Sequence, residues 1–193
     1  MKILKKISFN SPVILGFTTV CFVVLILDFI TSGATDRLLF SVYRSSLMSP
    51  LTYFRFIGHI FGHANWSHFI SNITIILIIG PLLEEKYGSV DIVVVIFFTA
   101  LITGILNFII FPNTMLLGAS GVVFAFILLS SFASMSEGKI PLTFILVAVI
   151  YIGGQIYNGI FVDDNISNFT HIVGGVVGSI FGYALGKENL NRS

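Results

Sequence analysis

An all-α polytopic membrane protein is the fold class this sequence predicts, and three observations carry the prediction. Of its 193 residues, 55% are hydrophobic. Only 10% are charged, against about a quarter in soluble domains. The apolar residues gather into runs of roughly the 20 residues a helix needs to cross a bilayer, and mean hydropathy reaches +0.99. The whole chain, 1–193, reads as one membrane domain. The net charge of +1 says nothing about nucleic acid, no basic run suggests it, and no nucleic-acid partner is expected. A single cysteine, Cys21, excludes an intrachain disulfide.

Six helices are expected, near 13–30, 68–83, 91–111, 118–133, 140–157 and 168–186. The second and fourth are marginal in length. The first follows the basic "MKILKK" and precedes "TSGA", a pattern that also fits a cleaved signal peptide. A retained helix is preferred, because it keeps an even number of spans with both termini on one side. Basic residues then orient the bundle. Lys2, Lys5, Lys6, Lys86, Lys139, Lys187 and Arg192 fall inside, and Arg37, Arg44 and Arg55 outside. That imbalance follows the positive-inside rule and predicts a multi-pass protein with both termini cytoplasmic; the membrane expected to hold it is the cell (plasma) membrane. Residues 31–67 form the long external connection. Its "LLFSVYRSSLMSPLTYFRFIGHIFGH" is aromatic and amphipathic, which predicts short helices lying in the outer leaflet and packed on the bundle.

Polar side chains within the spans point to chemistry. The second, fourth and sixth helices run the same way, so their inner charges give a common depth scale. His68 and Asn72 lie 16 and 12 residues before Glu84, Ser120 lies 17 before Glu137, and His171 lies 16 before Lys187. At about 1.5 Å per residue, His68, Ser120 and His171 share a level roughly 24–26 Å from the inner charges, with Asn72 about one turn deeper. Any one such residue is most often an interhelical hydrogen bond. Four at one depth predict a shared, wet cavity. Gly174, Gly175, Gly178 and Gly182 make a small face below His171, and Gly118, Gly121 and Ala125 flank Ser120. Such faces let helices approach closely in lipid.

A serine hydroxyl needs a base to become a nucleophile, and His171 is the natural one. The Ser120 backbone N–H, the His68 ring and the Asn72 amide offer donors for an oxyanion. No acid completes a triad: Asp163 and Asp164 read as a solvated loop, and Asp28 has no evident link to the pair. A Ser–His dyad is therefore predicted. Glu84 reads as a structural group bonding loop backbone, and Asn107 and Gln155 as bonds between helices. The loop 157–168, "YNGIFVDDNISN", is expected above His171 as a lid, with Gly159 as hinge and Phe161 as plug.

These residues fall into motifs that resemble the rhomboid intramembrane serine proteases. "GASG" at 118–121 matches the family's nucleophile motif through Gly118, Ser120 and Gly121. "HANWSHFISN" at 63–72 matches its oxyanion motif through His68 and Asn72, with His63 as the preceding structural histidine. "HIVGGVVG" at 171–178 matches its base motif through His171, Gly174 and Gly178, and Gly80, Glu84 and Gly88 match a further one. The resemblance implies a six-transmembrane-helix bundle with a long membrane-embedded first external loop and a water-filled cavity opening outward. It implies hydrolysis of a peptide bond in or beside a transmembrane helix of single-pass or polytopic membrane protein substrates, within the lipid bilayer, with no cofactor and no metal. Two departures stand out. Phe54-Arg55 takes the place of a Trp-Arg pair. Phe124 takes the place of a common Tyr, and its ring is expected to stack on His171. Two other functions compete. A catalytically dead relative that escorts membrane proteins is disfavoured by the presence of both Ser120 and His171. A small-solute channel would favour broken helices repeated in two halves, which the sequence lacks.

Overall fold

A computed structural model describes residues 9–133, 139–161 and 165–192. Its elements are α1 (Pro12–Ile30), α2 (Ala34–Leu38), α3 (Pro50–Gly58) with a 3-10 turn over His59–Phe61, α4 (Trp66–Tyr87), α5 (Ser89–Ile110), α6 (Ser120–Ser130), α7 (Leu142–Phe161) and α8 (Asn165–Arg192). No β-strand occurs among the described residues. Val42 and Leu116 form an isolated bridge, exchanging N–H···O bonds of 2.9 and 3.0 Å. Among the described residues, four helical stretches are long and apolar enough to cross a membrane: α1, α4, α5 and Asn168–Lys187 of α8. The apolar α6, and the Leu142–Tyr151 part of α7, are shorter. The chain is thus a helical integral membrane protein.

Several helix ends differ from the sequence expectation, for local reasons. α4 starts two residues early because the Asn65 side chain accepts the His68 backbone N–H at 2.9 Å, an N-cap. It continues past 83 because Glu84, Glu85 and Lys86 are good helix formers, and it stops at Gly88, whose φ is +90°. α6 begins at Ser120 and not at 118, since Gly118 has φ +123°. It closes in tight turns in which Ser131, Phe132 and Ala133 donate to carbonyls three residues back. The expected loop 157–168 is largely helical. α7 extends through Phe161 on its apolar Ile160-Phe161 ending, and α8 begins at Asn165. Residues 162–164, with Asp163 and Asp164, lie outside the described residues, as do the side chains of Gln155 and Phe161.

The core centres on α6. Its residues from Gly121 to Leu129 are almost all buried, with Phe126, Leu128 and Leu129 at 0% exposure. α8, α4 and α5 surround it. Glycine makes the α6–α8 contact possible. A Cβ on Gly174 would strike the Gly121 carbonyl oxygen and lie 3.0 Å from its Cα, and one on Gly178 would lie 2.6 Å from the Ala125 Cα.

The first helix is pinned to α4. The Glu84 carboxylate accepts the backbone N–H groups of Val13 and Ile14 at 3.1 Å each, and the Ser89 hydroxyl at 2.6 Å. These are first-turn donors of α1, which no helix can satisfy internally. Glu84 therefore bonds a helix start where loop backbone was expected. Gly80, one turn earlier, lets Ile14 nestle against α4.

Residues between α1 and α4 are stitched down by arginine. Arg55 is buried, donates to the Leu38 carbonyl at 2.9 and 2.6 Å, and lies over the Tyr43 ring. Arg44 donates to the Phe108 carbonyl at 3.2 Å. Asn107 Nδ2 donates to the Val42 carbonyl at 3.3 Å, so it ties α5 to this segment and not to another helix.

Candidate active site

The Asn65 cap sets the register of α4, so that His68 lies in its first turn and Asn72 one turn on, along the same face. Gly118 then delivers α6 to them. Its N–H donates to the His59 carbonyl at 2.9 Å, and its positive φ suits glycine alone. It is also required sterically, since a Cβ there would lie 2.6 Å from His68 Cε1. Ala119 caps α6 and Ser120 is its first residue. The Ser120 N–H thus belongs to the positive end of a helix dipole.

Ser120, His171, His68 and Asn72 line one cavity of about 230 Å³, together with Ser71, Ile75, Val123 and Phe124. Phe124 stacks on His171 with ring centroids 4.2 Å apart and planes 9° from parallel. Tyr151 of α7 meets the Phe124 ring edge-on at 5.8 Å. Asn72 is buried, and its Nδ2 has no hydrogen-bond acceptor among the described residues. His63 is wholly buried, and its ring packs on His68 at 5.2 Å. Burial, with His68 beside it, pushes the His63 pKa down to about 4, so the ring is neutral. Its Nδ1 therefore donates to the Phe61 carbonyl, 3.2 Å away. His59 is likewise driven down to about 4 by burial and serves through its backbone carbonyl.

Gly121, Gly174 and Gly178 lie in the packing seam behind the cavity, and Glu84 at the far end of α4, away from it. Asp28 does not line the cavity; its Oδ1 accepts the Asp36 backbone N–H at 2.8 Å. Ser71 and Ile75, three and seven residues after His68, were within reach of helical spacing. Tyr151 and Asp36 come from elements that share no register with the motifs, so no spacing rule points to them. Among the described residues, no cluster of three His, Cys, Asp or Glu side chains could hold a metal. A hydroxyl, an imidazole and convergent donors around one cavity are a set capable of acyl transfer.

Apolar helices long enough to span a membrane, and a cavity lined from α4, α6 and α8, define a helical integral membrane protein with a cavity inside its bundle. Residues 50–188 match the family model described as Rhomboid domain. The chain belongs to the rhomboid family. It is 31% identical over 144 residues to Rhomboid-related protein 1 of Caenorhabditis elegans, covering 68% of this chain and 39% of that protein. It is 28% identical over 150 residues to Rhomboid-like protein 11, chloroplastic, of Arabidopsis thaliana, covering 70% of this chain and 53% of that protein. The chain therefore spans two fifths to about half the length of these relatives.

Proposed function

We propose that this protein is an intramembrane serine endopeptidase that cleaves transmembrane segments of single-pass or polytopic membrane proteins. One observation carries the reading: Ser120 and His171 line the same cavity as His68 and Asn72. His171 takes the Ser120 Oγ proton as that oxygen attacks the scissile carbonyl carbon. The resulting oxyanion is met by the Ser120 N–H, the His68 ring and Asn72 Nδ2. Donors of this kind are typically worth about 2.7–4 kcal/mol each. His171 then passes its proton to the departing amine nitrogen. Water hydrolyses the acyl-enzyme by the same steps, with His171 again as base. The Phe124 ring stacked on the imidazole holds it in the orientation that an acid gives in a triad.

In this reading α6 and α7 complete six spans, both termini are cytoplasmic, and the cavity opens toward the outer face of the plasma membrane. Residues 31–65 lie in the outer leaflet. Membership of the rhomboid family supports the reaction class. The test is a purified wild-type protein reconstituted with a transmembrane substrate. It should react with a fluorophosphonate at Ser120 and cleave the substrate, and Ser120→Ala and His171→Ala should do neither. A folded wild-type protein that binds substrate but shows neither label nor cleavage would overturn the reading in favour of an escort.

A further inference from the structure

Asp36 is a buried carboxylate that the proposed chemistry does not use. It lies in α2, before the residues matched to the family. Three contacts nevertheless lead from it to the cavity. Asp36 Oδ2 accepts the backbone N–H of His63 at 3.1 Å, across 27 residues of chain. The His63 ring, itself wholly buried, packs on the His68 ring with centroids 5.2 Å apart. His68 in turn lies against Gly118, two residues before Ser120. The start of α2 is fixed as well, since the Asp36 N–H donates to Asp28 Oδ1 on α1. Gly62 makes the approach possible: a Cβ there would strike the Phe40 carbonyl and lie 3.0 Å from Asp36 Oδ1. That oxygen is buried with no partner among the described residues. Such an atom is costly, so packing alone does not account for an acid at this place.

We propose that Asp36 is a positioning residue for the oxyanion side of the site: its carboxylate holds the His63 backbone where the His63 ring buttresses the His68 imidazole. The proposal rests on the protease reading only for its kinetic consequence. A carboxyl oxygen accepts from a backbone N–H whether or not the group carries its proton, and an amide oxygen can do the same. His63 sits between the 3-10 turn and the Asn65 cap, so few other bonds fix its backbone.

The experiment compares Asp36→Ala with Asp36→Asn, whose amide oxygen can still accept from His63. The chain has four histidines, so a sample labelled with 13C and 15N at histidine gives four ring signals that single His→Gln variants assign. Asp36→Ala should move the His63 and His68 signals. It should also lower kcat by about tenfold, within the range that a sub-ångström displacement produces, with KM nearly unchanged. Asp36→Asn should restore both the signals and kcat. Should Asp36→Ala not fold, Asp36→Ser, too short to reach His63, takes its place with the same expectation. Unmoved His68 signals in a folded Ala or Ser variant, or equal losses in the Asn and Ala variants, would overturn the proposal. A wild-type protein without turnover would sink the protease reading instead, and the histidine signals would still decide the role of Asp36.

Discussion

Asn72 carries a buried amide donor with nothing to donate to among the described residues. An unmade buried hydrogen bond costs about 1–3 kcal/mol, and an oxyanion in the cavity would recover it. Asn72→Ala is therefore expected to slow turnover by roughly 10²-fold without abolishing it. Wild-type kcat in this variant would reduce Asn72 to a packing residue. Asp36 gives a pH prediction. Burial first, and the Asp28 carboxylate second, push its pKa from 3.8 up to about 7, against the His63 N–H bond that pulls it down. Between those values the folded state holds a proton that the unfolded state has lost, so this contribution falls as pH rises and is gone above about 7. His63 and His59, pushed down to about 4, act oppositely: their contribution is lost as pH falls from 6.5 toward 4. Melting temperatures from pH 4 to 8 separate the two. The stability of Asp36→Asn relative to wild type should climb up to about pH 7 and then level off. His68, Asn72, Ser120 and His171 were legible in the sequence because helical rise turns residue counts into depth along parallel-running helices. Asp36 was not, because a bond from one irregular segment to another has no period.

The pairing of α6 with α8 shows what an element-level reading can and cannot give. Gly174 and Gly178 announced a close contact, and the contact is with Gly121 and Ala125. Apolar runs gave the helices, but caps and left-handed glycines set their ends, and these are single residues that a hydropathy window averages away. The neighbour of Gly178 is backbone, which has no rotamer to yield. Gly178→Val is therefore expected to lower both the melting temperature and kcat, the latter by about 10²-fold as Ser120 and His171 separate. Gly153 on α7 is the control, since a Cβ there meets nothing within 4 Å. Gly153→Ala should leave activity intact and stabilise by about 0.4–1 kcal/mol. Equal thermal stability of the two variants would show that the seam is not a close contact.

At the scale of the whole molecule, α1 and α2 lie outside the residues matched to the family, yet both are fastened to the rest. Glu84 satisfies the first-turn donors of α1 at one end, and Asp28 with Asp36 ties its other end to His63. Between them Cys21, at 0% exposure, faces the core with its thiol near the Ile60 carbonyl. Glu84→Ala strands the buried Ile14 N–H, at a cost of about 1–3 kcal/mol, and the half-buried Val13 N–H at a smaller one. It should speed alkylation of Cys21 by a membrane-permeant maleimide. An unchanged alkylation rate would mean that apolar packing alone seats α1. The bonds from Glu84 also cross 70 and 71 residues of chain, and that span has a consequence for synthesis. A ribosome adding about 5–20 residues per second releases α1 into the bilayer roughly 4–14 seconds before its anchor exists. During that interval α1 has an uncapped start and an uncovered thiol, and it must be left waiting in lipid until α4 arrives. Nascent chains arrested before residue 84 has emerged should therefore expose Cys21 to the same reagent, and chains arrested once α4 and α5 are inserted should protect it.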